Sequence, residues 1–297
     1  MSADASLPVA TADAISGSTE RVNAASPARA LRPQRTREWS RFLVRGFSLV
    51  AAVALWQWAA ARHADLGVVT FRNVPTPAEV ARAAAALLAS PKLFFHVRNS
   101  LGRVLGGFAA AAVVGVALGL VIGRARRARD LLLPPLEVMR PIPGVAWIPL
   151  AILMFPSSEL SMVFITFMGA LFPILLNTIH GVEAIDRRLI IASRSLGARS
   201  LALFREVILP GALPSVMTGL SIGMGTAWFC LVTAEMIAGQ YGIGYYTWES
   251  YNLQQYPEIV VGMLFIGLFG MLSSALVKHA GALLMPWYRP EPRGRST

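Results

Sequence analysis

The sequence predicts an all-α membrane protein with six transmembrane helices, and three observations carry that prediction. Hydrophobic residues make up 55% of the chain, charged residues only 14%, and mean hydropathy is +0.55, too apolar for a soluble domain of 297 residues. Charge-free apolar runs recur at about the 20-residue length that crosses a ~30 Å hydrocarbon layer. Arginines cluster beside these runs instead of inside them.

Residues 1–38 are rich in Ala, Ser, Pro and Arg and show no apolar periodicity. They are expected to form a disordered cytosolic tail, not a signal peptide, because they hold no apolar core or small-residue cleavage site. Residues 39–98 hold the first span, Gly46–Ala61, with Trp56 and Trp58 near its far end as an interfacial belt. An amphipathic segment follows at Thr76–Leu93, with Pro77 opening a helix and Val80, Ala84, Leu87 and Leu88 at helical spacing. It either lies on the outer membrane surface or packs as a soluble helix between spans. Residues 99–284 form the core, with spans at Val104–Gly123, Pro141–Ser158, Leu160–Val182, Val207–Ala234 and Ile259–Val277. Residues 285–297 read as a cytosolic tail.

Lys and Arg are retained on the cytoplasmic side. Basic clusters at Arg29–Arg45, Arg124–Arg129, Arg187–Arg205 and Arg289–Arg295 fall on one side of a six-span chain, so both termini are expected in the cytoplasm. The opposite loops, Phe155–Glu159 and Gln240–Tyr256, contain no Lys or Arg. Only Arg62–Arg103 strains this arrangement. The net charge of +11 follows from topology and anionic headgroups; no basic stripe with interleaved aromatics points to nucleic acid.

Several chemistries are excluded by what a motif would require. A phosphate-binding loop needs lysine after glycine, and Lys92 and Lys278 follow Pro91 and Val277. His63, His96, His180 and His279 are scattered without metal-ligand spacing. Cys230 lies inside an apolar run and reads as a packing residue. No nucleophile elbow or zinc-protease motif occurs, so the chain is expected to be no enzyme and to bind no cofactor or metal of its own.

The 183–212 segment is the informative one. Its charges alternate with Leu189, Ile190, Leu196, Leu201, Leu203 and Phe204, a pattern for short amphipathic helices. Gly197 divides them where the chain must turn, and Pro210 and Pro214 mark re-entry into the next span. Such a projecting hairpin can transmit force from a soluble motor. The segment resembles the cytoplasmic E-A-A signature loop of binding-protein-dependent ABC import permeases: E-A-A, three residues, Gly, nine residues, Ile, one residue, Leu-Pro. Ala192 and Ser193 take the alanine positions, Gly197 the glycine, and Val207, Leu209 and Pro210 the ending. Ile191 stands where the family usually has its acidic residue. Met139–Phe155, Leu171–Val182, Thr233–Gly239 and Tyr241–Asn252 resemble the nitrate, sulfonate and taurine branch, and the similarity runs from about Pro75 to Leu284.

The resemblance implies a type I importer fold in the bacterial inner membrane. Two permease subunits, most simply a homodimer, share one alternating-access pathway. A separate ABC ATPase binds below and uses the ATP, and a periplasmic or lipid-tethered binding protein delivers substrate. The loop then holds the ATPase-coupling residues Ala192, Ser193, Gly197, Ala198, Leu201, Phe204, Val207, Leu209 and Pro210. The branch takes small anions such as nitrate, taurine and alkanesulfonates.

Candidate pathway residues follow from the cost of polar groups in a membrane, about 2.5–3.5 kcal/mol for a charge at a helix centre. Arg140 either attracts an oxyanion or pairs with Glu137 at i, i+3. Glu235 either anchors the outer end of its helix or belongs to a gate. Ser221, Thr226 and Thr233 carry hydroxyls able to bond an oxyanion, on a span whose Gly219, Gly223 and Gly225 also permit close helix packing. Tyr245, Tyr246, Trp248, Tyr251 and Tyr256 anchor in headgroups or contact the binding protein. The competing class is a stand-alone secondary transporter or channel, which predicts an internal repeat and midplane charges.

Overall fold

The structure is a computed structural model that describes residues 34–65, 67–68 and 70–288. These residues form helices joined by short turns, with one isolated antiparallel bridge between Asp65 and Thr70. Helix α1 covers Gln34–Ala61 and so takes in residues 34–38, which the sequence assigned to the tail; the rest of that tail and residues 289–297 lie outside the described residues. The chain divides into a unit ending at Leu55 and a second running from Trp56. In the first, Leu43, Val44, Phe47, Leu49 and Val50 are exposed, as expected of a helix that meets lipid.

In the second unit, Thr76 caps α2 (Pro77–Leu88) through a capping box with Glu79. The helix stops at Ala89, where Ser90 caps the next, so the predicted Thr76–Leu93 helix is two elements. Val80 and Leu87 pack with Val261, Trp56 and Phe265. The apolar face of the segment is thus packed against the bundle, while Leu88 is exposed.

The core is built on α3 (Pro91–Arg124), α6 (Ser158–Glu183), α9 (Leu209–Ala238) and α11 (Tyr256–Leu284). Small residues let the first two approach closely. A Cβ on Gly107 would lie 2.7 Å from Thr166 Cβ, one on Gly119 2.5 Å from Thr178 Cβ, and one on Gly123 2.8 Å from Val182 Cβ. Both threonine hydroxyls donate back to carbonyls of their own helix, leaving methyl groups toward the glycines. Along this seam the residue numbers rise together, so α3 and α6 run parallel. The α6–α9 seam is antiparallel: Gly169 meets Cys230, Gly223 meets Ile174, and Gly181 meets Ser215. The α9–α11 seam is antiparallel too, with the Trp228 indole donating to Ser273 Oγ at 2.7 Å and Gly281 against Met217.

Parallel α3 and α6 require the chain to return between them. The predicted span Pro141–Ser158 does not do this as one helix. The crossing is made by α4 (Arg126–Met139), a 3-10 turn at Gly144–Trp147 and α5 (Ile148–Met154), with an 85° bend. Pro141 and Pro143 remove two backbone donors just past the end of α4, and Pro143, extended with ψ 141°, opens the 3-10 turn. Seven residues of α5 rise only about 10 Å, too short to span alone. Five long apolar helices plus this bent pair preserve the six-crossing parity. Cys230 Sγ fills the notch between Gly144 and Gly169, locking the bend onto α6 and α9.

Candidate functional site

The ends of α3, α6 and α11 and the start of α9 gather at one end of the bundle, where the 183–212 segment projects. Asp186 caps α7 (Arg187–Ser195), its carboxylate accepting from the Arg188 N–H at 2.8 Å. The helix closes at Gly197, whose φ is +85°. The Ala198 N–H donates to Ser193 O and the Gly197 N–H to Arg194 O, both at 3.0 Å. That pair of bonds is a Schellman cap, which needs a left-handed residue at this position. Ala192 O accepts from the Leu196 N–H, and Ser193 Oγ donates to Leu189 O.

The second helix of the hairpin is not a separate short helix, as the sequence suggested. Ser200–Leu203 (α8) runs through a π-helical turn at Phe204–Ile208 directly into α9, giving one continuous helix from Ser200 to Ala238. Pro210 and Pro214 lie inside this helix instead of marking its start. Pro210 cannot bond the carbonyl four residues back, and a π turn accommodates such a defect.

Leu203 and Ile208 anchor the hairpin, buried with Val182 and Ala212, while Phe204 and Val207 pack half-buried beside them. Leu201, one of the expected coupling residues, is 60% exposed, along with Leu196 at 89% and Ile191 at 61%. The apolar residues therefore form two layers. One fastens the hairpin to α6 and α9, and the other faces away from the bundle, as a protein-binding surface does.

At the opposite end lies a polar cluster that sequence reasoning did not find. Arg103 of α3 is 3% exposed. Its Nη1 donates to Glu235 Oε1 at 2.8 Å and to Tyr241 O at 2.6 Å, and its Nε and Nη2 reach the two oxygens of Glu159 at 2.7 and 2.5 Å. Glu235 is fully buried. It also accepts from Ser100 Oγ at 2.8 Å and from the Gly244 N–H at 2.9 Å. Three successive backbone donors opening α10 (Ile243–Asn252) are thereby satisfied: Gly242 by His96 Nδ1, Ile243 by Ser100 Oγ, and Gly244 by Glu235. Glu235 thereby ties the end of α9 to α3 and to the opening of α10. Only the partners' distances in sequence, 56 and 132 residues from Arg103, kept the cluster hidden.

The other proposed pathway groups are dispersed. Arg140 is exposed at the C-cap of α4, and among the described residues it makes no ion pair with Glu137. Ser221, Thr226 and Thr233 are half-buried and donate to carbonyls of their own helix, so an oxyanion would have to compete for those protons. Gly219 and Gly223 serve packing against α6, whereas Gly225 opens onto an uncovered α9 face with Thr218, Ile222 and Phe229. Among the described residues, no group of His, Cys, Asp and Glu could hold a metal ion.

Residues 115–290 match the family model for the binding-protein-dependent transport system inner membrane component. The chain is 32% identical to the nitrate import permease protein NrtB of Synechocystis sp., over 88% of this chain and 98% of that one. It is 36% identical to SsuC of Escherichia coli K12, named for aliphatic sulfonates transport, over 84% and 94% of the two chains. A second NrtB, from Leptolyngbya laminosa, is 36% identical over 65% of this chain and 70% of its own. With the helical bundle and projecting hairpin, these matches show that the chain belongs to the binding-protein-dependent transport family of inner-membrane components, as a permease subunit of an ABC importer.

Proposed function

We propose that this permease imports a small oxyanion of the nitrate, taurine or alkanesulfonate class, driven by a separate ATPase seated on the 183–212 hairpin. The observation that carries the coupling role is the continuity of Ser200–Ala238: a push on the hairpin is delivered straight into a core helix. The exposed Ile191, Leu196 and Leu201 give an ATPase groove apolar side chains to cover. ATP binding closes the ATPase pair, draws the hairpins together and opens the pathway toward the binding protein; hydrolysis resets it. The chain itself binds no nucleotide.

Retention of arginine on the cytoplasmic side supports placing the Gly197 end and both termini in the cytoplasm, with the Arg103 end toward a periplasmic or lipid-tethered binding protein. A homodimer is supported by the uncovered α9 face, which a second copy would line into a shared pathway. The substrate class rests on the names of the relatives. It is tested by growth of a deletion strain, free of redundant systems, with alkanesulfonates as sole sulfur source or nitrate as sole nitrogen source. Loss on one source, restored by the gene, is the expected result; unimpaired growth on both would refute this substrate class.

A further inference from the structure

We propose that the groove beside Arg103 is a binding site for a monoanionic oxyanion, and that the Glu159 carboxylate is its displaceable resident occupant. The inference rests on the oxyanion-import reading only for the natural ligand, not for the site. The two partners of Arg103 are held very differently. Glu235 is sealed in the bundle and Tyr241 O belongs to the backbone, so the guanidinium is fixed from behind. Glu159 is the second residue of α6, and its side chain is 59% exposed. It can swing into solvent without unpacking a helix, leaving the Nε–Nη2 edge of Arg103 open.

That edge presents two parallel N–H donors to two oxygens of one group. A carboxylate fits it, and so does nitrate or one face of a sulfonate. The edge opens on a groove of about 420 Å³, flanked by Arg98 and Asn99 and by the apolar Phe95 and Val163. The groove has room for a small anion and an apolar wall for a short alkyl tail. Charge selects further. A monoanion replacing Glu159 leaves the charge facing Arg103 unchanged, whereas a dianion adds repulsion with the buried Glu235. A phospholipid phosphodiester has the same chemistry as a dissolved anion, so the source must be separated by experiment.

The test uses the assembled permease–ATPase complex in nanodiscs without binding protein, titrated with sodium nitrate or sodium ethanesulfonate against chloride and sulfate at equal ionic strength. Glu159→Gln removes the competing charge, and the apparent Kd for nitrate or ethanesulfonate is expected to fall at least about tenfold relative to the native complex. Where Glu159→Gln fails to assemble, Glu159→Asp, one methylene too short to reach Arg103 as Glu159 does, is read in its place with a gain in the same direction. A gain in discs of phosphatidylcholine alone identifies a dissolved anion. Extra phosphatidylglycerol retained by the variant, without nitrate or sulfonate binding, identifies the lipid phosphodiester. Equal gains with chloride or sulfate, or no difference in either arm, would overturn the site. Import by the native complex with its binding protein is measured alongside, so that failure of the site and failure of the substrate class are separately visible.

Discussion

Replacing Gly197 probes the 183–212 hairpin without touching its surroundings. A Cβ at this position would meet nothing within 4 Å, so the cost of a substitution is that of the backbone alone. The φ of +85° lies in the left-handed region, which costs an ordinary L-residue about 1–2 kcal/mol, less for Asn and more for a β-branched residue. One to two kcal/mol shifts the closed-cap population by a factor of roughly 5–30. The expected order of damage is therefore Asn, then Ala, then Val. The assay is substrate imported per ATP hydrolysed by the reconstituted complex, with membrane insertion and ATPase copurification as controls. Coupling should fall along the series while insertion and copurification hold. A Gly197→Val complex as tightly coupled as Gly197→Asn would refute the argument that the Schellman cap sets the hairpin's geometry.

Three further outcomes follow from the packing. Gly119→Val should destabilise the solubilised protein by about 1–3 kcal/mol through overpacking, since its Cβ would lie 2.5 Å from Thr178 Cβ; Gly267→Val, where a Cβ meets nothing within 4 Å, should leave the thermal melt unchanged. Arg103→Met strands Glu235 as a buried, unpaired carboxylate and should cost about 3–5 kcal/mol, with partial recovery of Tm on adding Glu235→Gln. Gln254 closes α10 at φ +57° under the same pair of cap bonds as Gly197, so Gln254→Gly should raise Tm, by about 0.5–1 kcal/mol of stability.

Hydropathy located the long helices because lipid imposes a length and a composition that survive any packing arrangement. It misread Pro141–Ser158, since an apolar run scores as a span whether or not its backbone bends; the closely spaced Pro141, Pro143 and Pro149 were the available signal. The hairpin was legible from Gly197 because a helix end demands particular local chemistry. Its inner layer was not: Leu201 and Leu203 are the same residue type, and only their angular position on the helix decides which is buried. Arg103 sits at the edge of an apolar run and looks like an interfacial anchor. Nothing local shows that its partners come from two other helices, although the four-residue spacing of Gly107, Ala111, Gly115, Gly119 and Gly123 foretold a close neighbour on that face.

On the proposed mechanism this chain transports only when an ATPase drives its hairpin. Uptake of labelled nitrate and ethanesulfonate into proteoliposomes tests it most directly, with the permease reconstituted alone or with its ATPase, ATP enclosed, and binding protein outside. Uptake is expected only when permease, ATPase, ATP and binding protein are all present. Concentrative uptake by the permease alone, driven by an ion gradient, would contradict it and establish a stand-alone transporter.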